Sequence, residues 1–321
     1  MSNEGDCKTW ISVYVYFQGD IYEPECDKVI LNILEPFINL CRKQNLFEKY
    51  FFIRYSEYGN HIRLRFFGNQ NILNEKIKPS FEKYIYENEN KNIFTLPKDI
   101  PVNTSPCCLL WRPYEPELER YGGIKAIQIA EEFFYYSSNT AIKLLKKIPG
   151  SEQSSRLGKG LLSMIVLLFV FVKNRDEAII LIQNYGENYL KATAGNEKVR
   201  IYFSKVFDNG FDNQSSALVD YTNMIWDCLE ENGSLPEELE EYKNNLTKVA
   251  DDLKTLVNKG GVYKDKNVKL DWQSCIRNII PSYIHMMNNR LGISIRDESY
   301  LSHLIYKSLE TKPETEYEIK K

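Results

Sequence analysis

The sequence is poor in the residue types on which many familiar chemistries depend. Only three histidines, His61, His285 and His303, occur in 321 residues. The seven cysteines, Cys7, Cys26, Cys41, Cys107, Cys108, Cys228 and Cys275, contain no C-x-x-C pair and no cluster with histidine. That odd, scattered set predicts free thiols in a reducing cytoplasm, with neither a disulfide framework nor structural zinc. The opening MSNEGDCKTW lacks a basic segment followed by an apolar one, so no secretory signal is expected. Long apolar runs are also missing. The longest, Leu161 to Val172 with Ser163 inside it, is shorter than the roughly 20 residues that cross a hydrocarbon core, and reads as a buried helix. Neither sign of charge prevails, with 41 basic and 44 acidic residues, so no nucleic acid, tRNA included, and no membrane is expected as a direct partner. Gly158-Lys159-Gly160 lacks the preceding pattern of a phosphate loop, and no G-x-S-x-G or H-E-x-x-H occurs, which removes three common catalytic readings.

What is present is a globular composition. A hydrophobic fraction of 43% in a chain this long suffices for a substantial core. Tyrosine is abundant at 22 residues, with 16 phenylalanines, enough to wall a peptide cleft as well as fill a core. Thr9 to Phe17, rich in β-branched and aromatic residues, predicts a strand. From Asp27 to Arg42, apolar residues at Val29, Ile30, Ile33, Leu34, Phe37 and Ile38 have the spacing of an amphipathic helix. Two strands around Phe51 to Glu57 and His61 to Phe67 flank a Tyr58-Gly59-Asn60 turn. A helix over Ile72 to Tyr86 follows, then a return to the sheet at Cys107 to Trp111 before Pro113 and Pro116.

From Ile124 the pattern becomes helical: Ile124 to Lys147, Ser151 to Lys173, Arg175 to Thr193, Ala217 to Glu230, Pro236 to Val257 and Leu270 to Arg290. Strands first and helices after predict an α+β fold, with a small antiparallel sheet and its helices over about 9–123 and a mainly helical part over about 124–310. No repeat or linker is evident, so 1–321 reads as a single unit whose polar ending, 311–321, frays.

Three segments have chemical potential. Along His61-Ile62-Arg63-Leu64-Arg65, strand alternation puts His61, Arg63 and Arg65 on one face and Ile62, Leu64 and Phe66 on the other. Two guanidiniums about 7 Å apart suit an anion between them, and a solvated sheet face is the alternative. Glu117 and Arg120, three apart before Gly122-Gly123, share a side if they lie on a helical turn, and the glycines permit close backbone passage into the next helix. A local ion pair is the alternative there. His285 sits near the end of a helix that Gly292 terminates, with Asn289 one turn on and able to orient the imidazole. A packed structural histidine is the competing reading. Ser294 and Asp297 form a capping box for the last helix.

Taken together, WISVYVYF, FFIRYSEYGNHIRLRF, ELERYGG with the following Ala130-Glu131-Glu132-Phe133-Phe134, and HMMNNRLGI resemble, in order from Trp10 to about Ile293, the C-terminal domain of the lantibiotic dehydratases, most closely its stand-alone thiopeptide-type members. The resemblance implies a lyase acting on a ribosomally made precursor peptide. A separate subunit, not matched here, transfers glutamate from glutamyl-tRNA to Ser or Thr, and this domain expels the glutamate to leave dehydroalanine or dehydrobutyrine. The family's elimination residues carry over to Arg63, Arg65, Glu117, Arg120 and His285. Two of the three arginines are implied to bind the glutamyl group, with Asn289 beside the substrate. The third stabilises the enolate. His285 serves as acid or base and Glu117 orients an arginine, with no metal or other cofactor required. The partners implied are the precursor peptide and the glutamylating subunit; a homodimer is left open. A thiopeptide pyridine synthase, which joins two dehydroalanines by a formal [4+2] cycloaddition, and a non-catalytic leader-binding scaffold remain the alternatives.

Overall fold

The computed structural model describes residues 7–88, 92–99, 106–265 and 268–311. The opening MSNEGD and most of the ending expected to fray lie outside the described residues. The architecture is α+β as expected, a small antiparallel sheet followed by a mostly helical region. The chain divides into two compact units. The first comprises Met1–Leu118, Ile127–Arg156 and Asn289–Gly292; the second comprises Glu119–Ala126, Leu157–Asn288 and Ile293–Lys321.

In the first unit, β1 (Lys8–Tyr16), β2 (Lys49–Tyr55), β3 (His61–Asn69) and β4 (Leu109–Arg112) form an antiparallel sheet in the order β2-β3-β1-β4. Alternation along the strands sends Val13, Val15, Ile62, Leu64 and Phe66 to one face, where all are buried. Helices α1 (Pro24–Val29) and α2 (Glu35–Lys43) run into each other through a π-helical stretch, Ile30–Leu34. Pro24 at the first position and acidic Glu25 and Asp27 favour the helix start. The six apolar residues read from the sequence as a stripe are all buried, each contributing about 1.5–3 kcal/mol through its lost water contact. Phe37 joins this stripe to the sheet at Phe66 and to α4 (Lys78–Asn88) at Phe81, with ring centroids 6.4 and 4.8 Å apart. Asn69 caps the turn α3 (Gln70–Ile72), its side chain accepting from the amides of Asn71 and Ile72, and a second π-helical stretch leads into α4.

Deep in this unit lies a buried ionic cluster. Asp27 accepts from Arg54 Nη2 on one carboxylate oxygen at 2.6 Å and from Arg156 Nη2 on the other at 2.5 Å. All three side chains are almost wholly buried. The guanidiniums spend further donors on main-chain carbonyls: Arg54 on Ile21 and Arg290, Arg156 on Leu291. The Asn289–Gly292 segment is thereby tied to β2, and the Asn289 amide completes the tie by accepting from the Arg54 N–H and donating to its carbonyl. Gly292 has φ +73°, and a Cβ there would lie 2.7 Å from Arg54 Nη1, so conformation and space both require glycine.

The second unit contains α6 (Gln153–Val172, from Leu157), α7 (Arg175–Ala194), α8 (Glu197–Asp212), α9 (Ser215–Glu230), α10 (Glu237–Asn258), α11 (Trp272–Leu291, to Asn288) and α12 (Ile295–Glu310). The remaining long helix is α5 (Ile124–Leu145). By length and composition α6 could cross a membrane, but 72% of its most apolar window is buried inside the protein. The helices expected from the sequence omit α8, although Val199, Phe203, Phe207 and Phe211 recur there at four-residue spacing; Phe207 and Phe211 are buried while Ile201, Tyr202 and Val206 are exposed. A second readable signal is Asn196, whose side chain caps the Val199 amide. Gly122, at φ +89°, passes so close to Val262 that a Cβ would approach it to 2.6 Å. Ser294 and Asp297 form the expected cap of α12, the hydroxyl accepting from the Asp297 amide and donating to its carboxylate. All seven cysteines are free thiols, and burial pushes those of Cys41 and Cys275 up to about 12.

Burial opposes ionisation of Asp27, yet the charges of Arg54 and Arg156 and their hydrogen bonds hold its carboxyl below the usual aspartate range. Asp27→Ala should cost about 3–5 kcal/mol in urea unfolding, because two buried guanidiniums lose their counter-charge. A carboxyl depressed in the folded state stabilises above its unfolded pKa of about 3.9, and that stabilisation disappears as pH falls through the lower folded value. Thermal melts from pH 6 down to pH 2 should therefore show the parent losing its advantage over the variant only below about pH 4.

Candidate functional site

The second face of the sheet carries the arginines. Antiparallel register aligns Tyr16 with His61, Tyr14 with Arg63 and Ser12 with Arg65, and on the other side of β1 aligns Ser12 with Arg112. Aligned residues project to the same side, so His61, Arg63 and Arg65 share a face as the alternation predicts. That face is only partly solvated: His61 is 1% and Arg65 9% exposed, whereas Arg63 is half-buried and Arg112 exposed. A cleft of about 530 Å³ opens there, lined among others by Tyr14, Tyr16, Glu57, Tyr58, Arg63, Arg65 and Arg112.

His61 is a neutral spacer in this wall. Its Nδ1 lies 2.8 Å from the Gly59 carbonyl, and Arg63 Nε donates to its Nε2 at 3.2 Å. That pair of contacts fits only the tautomer protonated at Nδ1. Burial pushes the imidazole down to about 4, against the Gly59 hydrogen bond and with help from the Arg63 charge. Arg63 lies over Tyr55 and Tyr14, 3.4 and 4.6 Å from the ring centroids, and its Nη2 meets Glu57 at 3.3 Å.

Arg65 is held differently, between the rings of Tyr114 and Phe51 at 4.7 and 5.0 Å. Its Nε is buried without a hydrogen-bond partner among the described residues. Burial lowers the guanidinium from the ordinary arginine range, although it remains charged at any working pH. Glu117 contributes a favourable charge to Arg65 and occupies irregular chain, and residues 118–122 form a turn. The helical turn considered for Glu117 and Arg120 is therefore not formed.

The second unit gathers His285 and Arg120. His285 Nδ1 lies 2.9 Å from Oε1 of Glu298, a fully buried carboxylate to which the Tyr185 hydroxyl also donates. Tyr189 packs on the imidazole with centroids 5.6 Å apart. Arg120 Nε donates to the Ser282 hydroxyl at 3.0 Å, on α11 one turn before His285, and its charge acts on Tyr189. Burial pushes the Tyr189 phenol up to about 12 nonetheless, so it stays protonated near neutrality. With Nδ1–H directed at Glu298, the lone pair of Nε2 is the one available to a substrate.

The imidazole is thus oriented by Glu298, a residue that no sequence motif marks, and not by Asn289. Both polar atoms of Asn289 are engaged with the main chain of β2. Glu298 follows the Ser294–Asp297 capping box directly, and in sequence it reads as one more acidic residue favourable to a helix start. Only its complete burial distinguishes it. Tyr185 and Ser282 were hidden likewise, since neither belongs to a pattern.

Comparison with known proteins places these features. The family model for the C-terminal part of the lantibiotic biosynthesis dehydratase matches residues 10–309. The epidermin biosynthesis protein EpiB of Staphylococcus epidermidis is 24% identical over 317 residues, 95% of this chain and 26% of EpiB. The chain thus spans about a quarter of that curated relative. Among solved structures, TsrL is similar with TM-score 0.71 and 14% identity, over 95% of each chain. The pyridine synthase TbtD of thiomuracin biosynthesis gives 0.68 and 14%, over 94% of this chain and 97% of TbtD. The tRNA-dependent lantibiotic dehydratase MibB from Microbispora sp. 107891 gives 0.64 and 17%, over 94% of this chain and 28% of MibB. At such identities the structural likenesses establish a shared fold, whereas the family match runs through nearly all of the sequence: the chain belongs to the lantibiotic dehydratase C-terminal family.

Proposed function

We propose that the chain expels glutamate from glutamylated Ser or Thr of a ribosomal precursor peptide, leaving dehydroalanine or dehydrobutyrine. In this reading a separate glutamylating subunit and the precursor peptide are its partners. The observation that carries it is the second unit's cluster, in which an imidazole fixed by a buried carboxylate lies one helical turn from the hydroxyl held by Arg120. Elimination of a β-acyloxy group needs such a pair. A base removes the α proton, the electron pair forms the Cα–Cβ double bond, and the Cβ–O bond breaks as glutamate departs through its α-carboxylate. His285 Nε2 takes the proton. Arg120 stabilises the negative charge that develops on the neighbouring carbonyl oxygen. Within the first unit, Arg65 on β3 is suited to an anion such as the glutamyl carboxylate, and Glu117 tempers its charge.

A second reading has its own support, since the fold is as similar to the pyridine synthase TbtD as to MibB. One experiment separates the two. The purified chain receives, in separate reactions, a precursor bearing glutamyl-Ser and a precursor already carrying two dehydroalanines. Release of free glutamate from the first alone is the expected result. Cyclisation of the second with loss of its leader would instead identify a cycloaddition enzyme, and binding without conversion of either would identify a scaffold.

The dyad provides a further check. His285→Ala should lower the elimination rate by on the order of 10²–10⁴-fold, the usual contribution of a positioned base. Glu298→Gln, nearly isosteric, should also lower kcat and shift the pH–rate profile, because the amide cannot hold the imidazolium as it forms. Equal rates and profiles in parent and Glu298→Gln enzymes would remove the dyad from the mechanism.

A further inference from the structure

On the arginine face, Arg65, Ser12 and Arg112 form a row across β3, β1 and β4, directly opposed in register. With strands about 4.8 Å apart, the two arginine Cα atoms are separated by about 10 Å and the small serine lies between them. Three features distinguish this row. Arg65 Nε and Ser12 Oγ are both buried donors without a hydrogen-bond partner among the described residues. Ser12 is 2% exposed, and native folds seldom leave such groups unmatched. Arg112 lines the same cleft as Arg65.

Arg63 is less suited to seize a ligand. Its Nε is given to His61, its Nη2 to Glu57, and its plane is stacked on Tyr55. Those contacts make it a positioning residue that braces the cleft wall.

We propose that Arg65, Ser12 and Arg112 form a carboxylate subsite, with Arg112 determining specificity for the side chain of the group to be expelled. The assignment rests on the glutamate-elimination reading and deepens it. A glutamyl group transferred from tRNA is esterified through its α-carboxyl, so the free groups it presents are an α-ammonium and a γ-carboxylate. Two planar guanidiniums and a hydroxyl between them complement the carboxylate. Glu57 and Glu115 line the same cleft, which favours a ligand that also carries an ammonium and disfavours a compact dianion such as phosphate.

The test measures binding to the full chain by calorimetry with three probes: L-glutamate α-methyl ester, L-glutamine methyl ester and inorganic phosphate. The parent should bind the glutamate ester about tenfold or more tightly than either of the others, as loss of charge-assisted hydrogen bonds requires. Arg112→Gln and Ser12→Ala should each reduce that preference to within about threefold. Ser12→Ala keeps the test sound should the arginine variant misfold, since deleting an unpartnered buried hydroxyl leaves the free protein as stable as before or more so. A preference retained in both variants overturns the subsite, as does a parent that favours none of the probes or favours phosphate. Glutamate release from a glutamyl-Ser precursor is followed in parallel. Release without probe preference refutes the subsite and leaves the elimination reading standing. A preference dependent on Arg112 without any release supports the subsite and refutes that reading.

Discussion

Two guanidiniums buried side by side repel each other and give up their hydration, so they persist only around an anion, and in the first unit that anion is Asp27. Its carboxylate joins α1 to β2 through Arg54 and to the start of α6 through Arg156. The donors left over hold three main-chain carbonyls, two of them in the Asn289–Gly292 segment. Residues distant in sequence are thereby fixed on one charge. A cluster of this kind adds little net stability compared with apolar packing, but it is intolerant of losing one member. It therefore specifies which segments meet, tying β2, the neighbour of β3 in the sheet, to α1 and to the Asn289–Gly292 segment.

The cations of the sheet face are managed in the opposite way. Asp27 neutralises its arginines directly, whereas Arg63 and Arg65 rest largely on tyrosine and phenylalanine rings. A ring face attracts a guanidinium without occupying its in-plane N–H groups. Arg65 is the clearer case: its guanidinium lies between two rings, and Glu117 contributes a favourable charge. Stacking keeps such a cation in place while its donors stay ready for an anion, and the abundance of tyrosine in the composition has part of its explanation here. In the second unit the logic is again different: Glu298 is wholly buried, and it gives its oxygens to an imidazole and a phenol.

Much of this was readable in advance. Period-two alternation in HIRLR put the arginines on one side of a strand, and the three-and-four spacing from Val29 to Ile38 gave the helix that covers the other side. Gly292 and the Ser294–Asp297 box marked a helix end and the next helix start. These features are local, since strand pleat, helical pitch and capping depend on residues within a few positions of one another. The ordered segments from Trp10 to Ile293 supplied the family.

What only the tertiary structure decided are the relations among residues far apart in the chain. Asn289 is four residues from His285, a spacing that suggests a partner, yet its amide is drawn away by the main chain of β2, 235 positions earlier. Glu298 becomes the partner because α11 and α12 fold back on each other, which the sequence of neither helix states. Ser12 looks like an ordinary strand residue until register sets it between Arg65 and Arg112. Composition and periodicity determine which face a side chain takes on its own element. Which charge then lies opposite it, and whether water can reach it, depends on packing between elements, and those two quantities turn a histidine or an arginine into a reactive group.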